Sequence, residues 1–84
     1  MFYVYFLKSL SNSGQNYIGY TSDLRERIHR HNNTEVLSTK PYVPWELIFY
    51  ESFKSKRDAK RREGYFKTSK ERKALKIMLR ESLR

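Results

Sequence analysis

An arginine and a histidine share the apolar stripe of one short predicted helix. In the stretch YIGYTSDLRERIHRH, the periodicity predicts a helix from about Asp23. Its stripe at i, i+3, i+4 and i+7 consists of Leu24, Arg27, Ile28 and His31. A guanidinium is a forked donor that matches phosphate or carboxylate oxygens, and an imidazole exchanges a proton near neutral pH. Two side chains suited to chemistry therefore lie where a purely structural helix carries hydrophobic residues.

A later predicted helix carries a carboxylate among its inward-facing residues. In the segment KRDAKRREGYFK, which Ser55 can cap, Glu63 lies between Ala59 and Phe66 on the inward stripe. Burying an unpaired charge costs several kcal/mol, so Glu63 and Arg27 each require a partner. Two interpretations stay open on spacing alone: a buried or half-buried Arg27–Glu63 ion pair that joins two helices, or a functional site.

Tyrosines recur on one face of two predicted strands. Tyr3 and Tyr5 share a face of the strand FYVYFL, and Tyr17 shares a face with Gly19 in the strand YIGYT. A glycine within a strand marks a place where another group comes close, which leaves room at the Tyr17 hydroxyl. Tyrosines also commonly cover half-buried sheet faces, so this pattern alone permits a structural interpretation.

The elements that must position these residues form one small α+β domain. We predict strands and helices in the order β-β-α-β-α-α, and no linker separates two domains within 1–84. The predicted strands are 2–7, 17–21 and 45–53, and the predicted helices are 23 to about 32, 56–67 and 70–83, the last capped by Ser69. The result is a short antiparallel sheet with helices packed against it.

The positive charge of the chain is confined to its second part. The net charge is +9, yet residues 1–53 hold five basic and five acidic side chains, so the excess lies in residues 54–84. Such asymmetry favours a polyanionic partner, with nucleic acid first and an anionic membrane surface second. A charged helical surface that only maintains solubility is an equally good interpretation of a charge run alone.

Several classes of protein are excluded by composition. There is no cysteine, which rules out disulfides, thiolate metal sites and a cysteine nucleophile, and which fits a reducing cytoplasm. No apolar run approaches the roughly 20 residues of a membrane-spanning helix, so membrane insertion is not expected. The N-terminal MFYVYFLKSL lacks a basic start and reads as a strand and not as a signal peptide.

Taken together, the chemically suited residues resemble the signature of a known family. YVY in the first strand is followed by YIG in the second, by Arg27 ten residues after Tyr17, by His31 four residues later and by Glu63 in a basic helix. This ordered set resembles the GIY-YIG nuclease superfamily. The closest likeness is to its small stand-alone bacterial members, the UPF0213-like proteins, and it runs from residue 2 to about residue 70.

The resemblance implies a fold and five site residues. The fold is a central three-stranded antiparallel sheet flanked by helices, with the active site on one face of the sheet. Tyr5 and Tyr17 correspond to the two motif tyrosines, and either can be the general base; we favour Tyr17 because its small neighbours leave it accessible. Arg27 is expected to contact the scissile phosphate and His31 to assist proton transfer or to position a tyrosine. Glu63 is expected to bind one divalent ion, Mg²⁺ or Mn²⁺.

The function implied is metal-dependent endonucleolytic hydrolysis of phosphodiester bonds in DNA, with selectivity for DNA structure, in DNA repair or processing. The alternative is a nucleic-acid-binding module of the same fold that turns over weakly or not at all. RNA stays open as the bound polymer, and a protein partner for targeting is a further expectation. The expected phosphate contacts are Lys54, Lys56, Arg57, Lys60, Arg61, Arg62, Lys67, Lys70, Arg72 and Lys73.

Overall fold

A three-stranded antiparallel sheet lies at the centre of the computed structural model, which describes residues 1–84. Its strands are β1 (Phe2–Ser9), β2 (Asn16–Thr21) and β3 (Trp45–Phe53), in the spatial order β2-β1-β3. The helices are α1 (Leu24–Asn32), α2 (Lys56–Phe66) and α3 (Ser69–Met78), with a short 3-10 turn at Lys40–Tyr42. The predicted α+β class and the order β-β-α-β-α-α are confirmed. None of the three helices has the length and apolar character needed to cross a membrane.

The pairing register of the central strand decides which side chains meet. Tyr5 on β1 lies opposite Gly19 on β2 and opposite Tyr50 on β3, and all strand pairs are antiparallel. Because successive side chains point to opposite faces of a strand, Tyr3 and Tyr5 lie on one face, and their neighbour Val4 lies on the other. The sheet therefore has two faces of different composition.

Helices α2 and α3 cover the apolar face. Their inward-facing side chains join residues of β1 and β2 in a continuous buried cluster, as expected for an alternating strand pattern. Burial of these side chains removes a large apolar area from water and is the main stabilising contribution of this face. The buried members are Val4, Phe6, Ile18, Ala59, Phe66, Leu75 and Leu79.

Helix α1 covers part of the opposite face. Leu24 and Ile28 pack there against a second buried cluster, which contains Tyr5, Leu7 and Trp45. The helix begins where the Asp23 side chain accepts a hydrogen bond from the backbone N–H of Glu26 at 3.2 Å. This cap sets the start of α1 and therefore the direction in which its later residues point.

The third helix departs from the prediction at both ends. The capping residue is Thr68 and not Ser69, and the Thr68 hydroxyl donates to the Tyr65 carbonyl at 2.8 Å in place of a cap bond. The helix ends at Met78, well before residue 83. The chain tightens into a turn in which the Arg80 N–H donates to the Ile77 carbonyl, and Leu83 still packs against the apolar core.

Candidate active site

A chain of hydrogen bonds links three buried side chains beneath α1. The Tyr5 hydroxyl lies 2.8 Å from His31 Nε2, and His31 Nδ1 lies 2.8 Å from Thr39 Oγ1. The Thr39 hydroxyl donates its single hydrogen to the Val36 carbonyl at 3.3 Å. Its oxygen therefore accepts a hydrogen bond from His31 Nδ1–H. In this arrangement the Tyr5 hydroxyl donates a hydrogen bond to His31 Nε2, and each ring nitrogen has one partner.

Burial keeps both ends of the Tyr5–His31 contact uncharged. Burial, with the positive charges of Arg27 and Arg30, lowers the pKa of His31 from its usual 6.5 to about 4. Burial, followed by the nearby Tyr17, raises the pKa of Tyr5 well above its usual value, and Arg27 opposes this shift only in part. At neutral pH the pair is therefore a neutral imidazole and a neutral phenol.

Tyr17 lies beside this pair and differs from Tyr5 in its surroundings. Its ring centre is 4.9 Å from that of His31 and 6.2 Å from that of Tyr5. Tyr17 is half-buried where Tyr5 is fully buried, and its hydroxyl makes no hydrogen bond to the protein. A Cβ at Gly19 would collide with the Tyr5 hydroxyl and crowd the Tyr17 ring. The close approach expected at Gly19 is therefore made by these two tyrosines.

Arg27 presents a positive charge to the cluster without a protein anion beside it. Its Nε is buried and has no hydrogen-bond partner, and the side chain forms no ion pair. The Arg27–Glu63 ion pair considered from spacing is therefore wrong, because Glu63 pairs with Lys67 at 3.4 Å. A buried N–H donor without a partner costs free energy, and the positive charge of the same guanidinium attracts an anionic ligand.

Glu63 comes from the other side of the sheet, which corrects the expectation of a site confined to one face. Its helix α2 packs on the apolar face and also contacts the edge strand β2, where Lys60 lies over the Tyr20 ring at 5.9 Å. The Glu63 side chain is 22% exposed, and its charge adds to the raised pKa of Tyr5. The helix that covers the opposite face therefore carries this carboxylate, and the Glu63 charge is the smallest of the named causes of the Tyr5 pKa shift.

The donor set at Glu63 fits a hard divalent cation bound with the help of a substrate. A carboxylate oxygen is the ligand type that Mg²⁺ and Mn²⁺ prefer. The fold assembles no group of three or more acidic, histidine or cysteine side chains that holds an ion by itself. One carboxylate, together with phosphate oxygens and water, matches the usual coordination of Mg²⁺ at phosphate-transfer sites.

The supporting residues were largely missed by sequence reasoning. Asn32 clamps the backbone of Trp45, with its Nδ2 donating to the Trp45 carbonyl at 3.0 Å and its Oδ1 accepting from the Trp45 N–H at 2.6 Å. The Trp45 indole N–H in turn donates to the Thr39 carbonyl at 3.0 Å. Asn32 stands directly after His31, where the sequence indicates only a helix stop. Thr39 lies in a loop without periodicity, so no sequence pattern indicated it.

Most of the predicted phosphate contacts are exposed. Arg62 is the exception, because it forms a two-pronged contact with Glu51 at 2.8 and 3.1 Å and lies over the Phe66 ring at 4.1 Å. This pairing gives Arg62 a structural role and makes it unsuited to the phosphate contact that was expected. The exposed members are Lys54, Lys56, Arg57, Lys60, Arg61, Lys67, Lys70, Arg72 and Lys73.

The three-stranded antiparallel sheet and the order of its helices agree with the family found by sequence comparison. The GIY-YIG catalytic domain matches residues 1–76. The chain therefore belongs to the GIY-YIG family, which is a nuclease family whose substrates are nucleic acids and whose members generally use divalent metals.

The similar proteins are small bacterial UPF0213 proteins. UPF0213 protein YazA from Bacillus subtilis is 46% identical over 66 residues, which cover 77% of this chain and 65%, just under two thirds, of that protein. UPF0213 protein SSP2268 from Staphylococcus saprophyticus is 36% identical over 90% of this chain and 92% of its own length. UPF0213 protein CPE1444 from Clostridium perfringens is 35% identical over all of this chain and 89% of its own length. The expected likeness to UPF0213 proteins is confirmed.

Proposed function

We propose that this protein is a metal-dependent endonuclease that hydrolyses phosphodiester bonds in DNA, in DNA repair or processing. The observation that carries the proposal is Arg27, a cation with a buried, unpartnered Nε that acts on the same tyrosine–histidine cluster as Glu63. A phosphodiester supplies the missing anion, since a guanidinium donates to two phosphate oxygens at once. Charge stabilisation of this kind is usually the largest contribution to catalysis.

In this proposal the two tyrosines have different roles. Tyr17 is the general base, because its hydroxyl is free of protein hydrogen bonds and its side chain is only half-buried, so a water molecule can reach it. Tyr5 is buried and donates to neutral His31, and its raised pKa makes it a poor proton acceptor. Tyr5 and His31 therefore form the wall that orients Tyr17. Glu63 holds the metal ion, which when bound supplies Lewis-acid stabilisation of the phosphate and the leaving oxygen.

The test is a cleavage assay with matched DNA substrates. The purified protein is incubated with plain duplex, nicked, flapped and branched DNA of the same sequence, with Mg²⁺, with Mn²⁺ and with EDTA. We expect cutting of at least one structure that requires the metal and is lost in EDTA. The Tyr17→Phe variant, which removes one hydroxyl that the fold does not use, is the matched control and should bind the same DNA without cutting it.

Two results would contradict the proposal. Binding without cleavage of any substrate would favour the alternative, a nucleic-acid-binding module of the same fold. Cleavage that persists in EDTA would remove the role given to Glu63. A parallel series with single-stranded and duplex RNA decides whether DNA is the preferred polymer.

A further inference from the structure

A cavity of about 530 Å³ opens between the first half of α1 and the sheet, on the face that carries the tyrosines. Two tyrosines form one wall, with Tyr3 and Tyr50 in an edge-to-face contact at 6.0 Å between ring centres. Leu24, Ile28 and Leu47 form the apolar remainder of the lining. The volume lies within the usual range for small-molecule sites, and none of these side chains belongs to the candidate active site.

The lining has the chemistry that recognises a nucleobase. Tyr50 is 51% exposed although it is a large aromatic residue in a strand, so its ring presents an open stacking surface. Asp23, Ser22 and the exposed Arg25 stand at the polar rim. These groups provide acceptors and donors of the kind that pair with the edge of a base.

The cavity and the candidate active site are built on the same two elements, β1 and α1. Tyr3 stands two residues before Tyr5 on the same face of β1, a separation of about 7 Å along a strand. Helix α1 carries Ile28 into the cavity and the adjacent Arg27 into the tyrosine cluster. A strand with one phosphate at Arg27 can therefore place a neighbouring base in the cavity.

We propose that this cavity binds an unpaired nucleobase of the DNA strand whose phosphate occupies the active site, an inference that rests on the proposed function. A base inside a duplex is stacked on both faces and cannot enter a cavity between a helix and a sheet, whereas a base in a flap or a single-stranded end is free to do so. The cavity thus selects DNA with an unpaired nucleotide beside the scissile bond. The site reads the base by stacking, so it tolerates all four bases.

The experiment compares an intact single strand with an abasic strand of the same length, so that both carry the same phosphate charge. Affinities are measured by fluorescence anisotropy in EDTA, where no cleavage occurs. We expect the protein to prefer the intact strand, and Tyr50→Ala to reduce this preference by at least about fivefold, the effect of losing one stacked base. Tyr50→Phe keeps the stacking ring and should retain the preference.

A second tyrosine provides the matched control. Tyr65 is 46% exposed on α2 and lies outside the cavity, so Tyr65→Ala should leave the ratio of the two affinities unchanged. An unchanged ratio in Tyr50→Ala, or an equal loss for both strands, would overturn the proposal. So would a change in self-association alone, measured by sedimentation, since that assigns the face to a second copy of the chain.

The same measurements separate this inference from the proposed function. A Tyr50-dependent preference for the intact strand in a protein that cuts no DNA supports the base site and contradicts the endonuclease. Metal-dependent cleavage with no dependence on Tyr50 in binding supports the endonuclease and contradicts the base site. Absence of binding to either strand contradicts the base site, and the cleavage assay then decides the endonuclease by itself.

Discussion

The two faces of the central sheet use the same strands for different purposes. The face under α2 and α3 buries Val4, Phe6 and Ile18 in an apolar cluster with no polar member. The face under α1 buries Tyr5 and His31 in a hydrogen-bonded chain and leaves the Nε of Arg27 without a hydrogen-bond partner. The first face stabilises the fold through area removed from water, and the second gives up part of that stability to hold polar groups in one geometry.

Glu63 lies on a helix of the apolar face but is proposed to serve the polar face. Its substitution should have the largest effect on cleavage. Glu63→Gln removes the metal-binding charge but keeps the shape, so we expect metal-dependent cleavage to fall at least about 100-fold, since Lewis-acid stabilisation is worth several kcal/mol. DNA binding should be unchanged or slightly tighter, because one negative charge leaves a basic surface. Single-turnover cleavage and binding in EDTA measure the two effects.

Thermal unfolding of the same variant is the control. Glu63 is paired only with Lys67, through a contact that is partly exposed and worth about 1 kcal/mol at most. A large loss of stability in Glu63→Gln, in place of a loss of cleavage, would show that the carboxylate serves the fold and would contradict the metal-binding role.

The apolar face should dominate the free energy of unfolding. Phe6 is fully buried, so Phe6→Ala should lower the free energy of unfolding by about 3–5 kcal/mol through reduced burial and a residual cavity. Tyr17→Phe on the other face should change it by less than about 1 kcal/mol, because the hydroxyl has no protein partner. Urea denaturation of both variants checks this contrast, which fails if the two losses are similar.

The sequence predicts the features of each sheet face that depend on local sequence, and it does not predict those that depend on strand register or on the tertiary fold. The bounds of β3, Trp45–Phe53, agree with the prediction. The aromatic-rich run that forms this strand lies between Pro44 and Ser55, the N-cap residue of α2. Gly19 was recognised as a close approach, but the partner was not, since that depends on the register of Tyr5 against β2. Thr39 was missed because only the tertiary fold brings its loop to His31.

The missing Arg27–Glu63 ion pair has a related cause. Helical spacing shows that both residues face inward, but it does not show which side of the sheet each helix covers. Once α1 and α2 pack on opposite faces, Glu63 finds Lys67 on its own helix and Arg27 finds no carboxylate. The spacing was therefore sufficient to select the residues and insufficient to pair them.

The polar face should make stability depend on pH. His31 has a pKa of about 4 in the folded protein against about 6.5 when unfolded, so the unfolded chain binds the proton first. The free energy of unfolding should therefore fall as the pH drops from about 6.5 to about 4, by up to about 3 kcal/mol, and this contribution should level off below pH 4. Urea denaturation across this range measures it.

The second histidine provides the control for this pH dependence. His29 is exposed, so His29→Gln should keep the slope of the wild-type protein between pH 6.5 and 4. His31→Gln should lose the histidine contribution and leave only the slope due to carboxylates. Equal slopes in the wild-type protein and His31→Gln would show that the buried imidazole is not the group responsible.

The smallest expected effect concerns the exposed lysines, which are predicted to contact DNA phosphates outside the candidate active site. Replacing Lys56, Lys60 and Lys73 with Ala should weaken binding to all sequences alike. The slope of log affinity against log salt should shrink by up to about 0.9 for each duplex DNA phosphate that a lysine no longer neutralises, whereas Lys40→Ala, outside the basic segment, should leave it unchanged.

Cleavage at saturating DNA should survive the triple substitution, because none of these lysines is proposed to touch the scissile phosphate. A salt slope equal to that of the wild-type protein would show that the charge of the segment serves solubility and that the grip on DNA lies elsewhere.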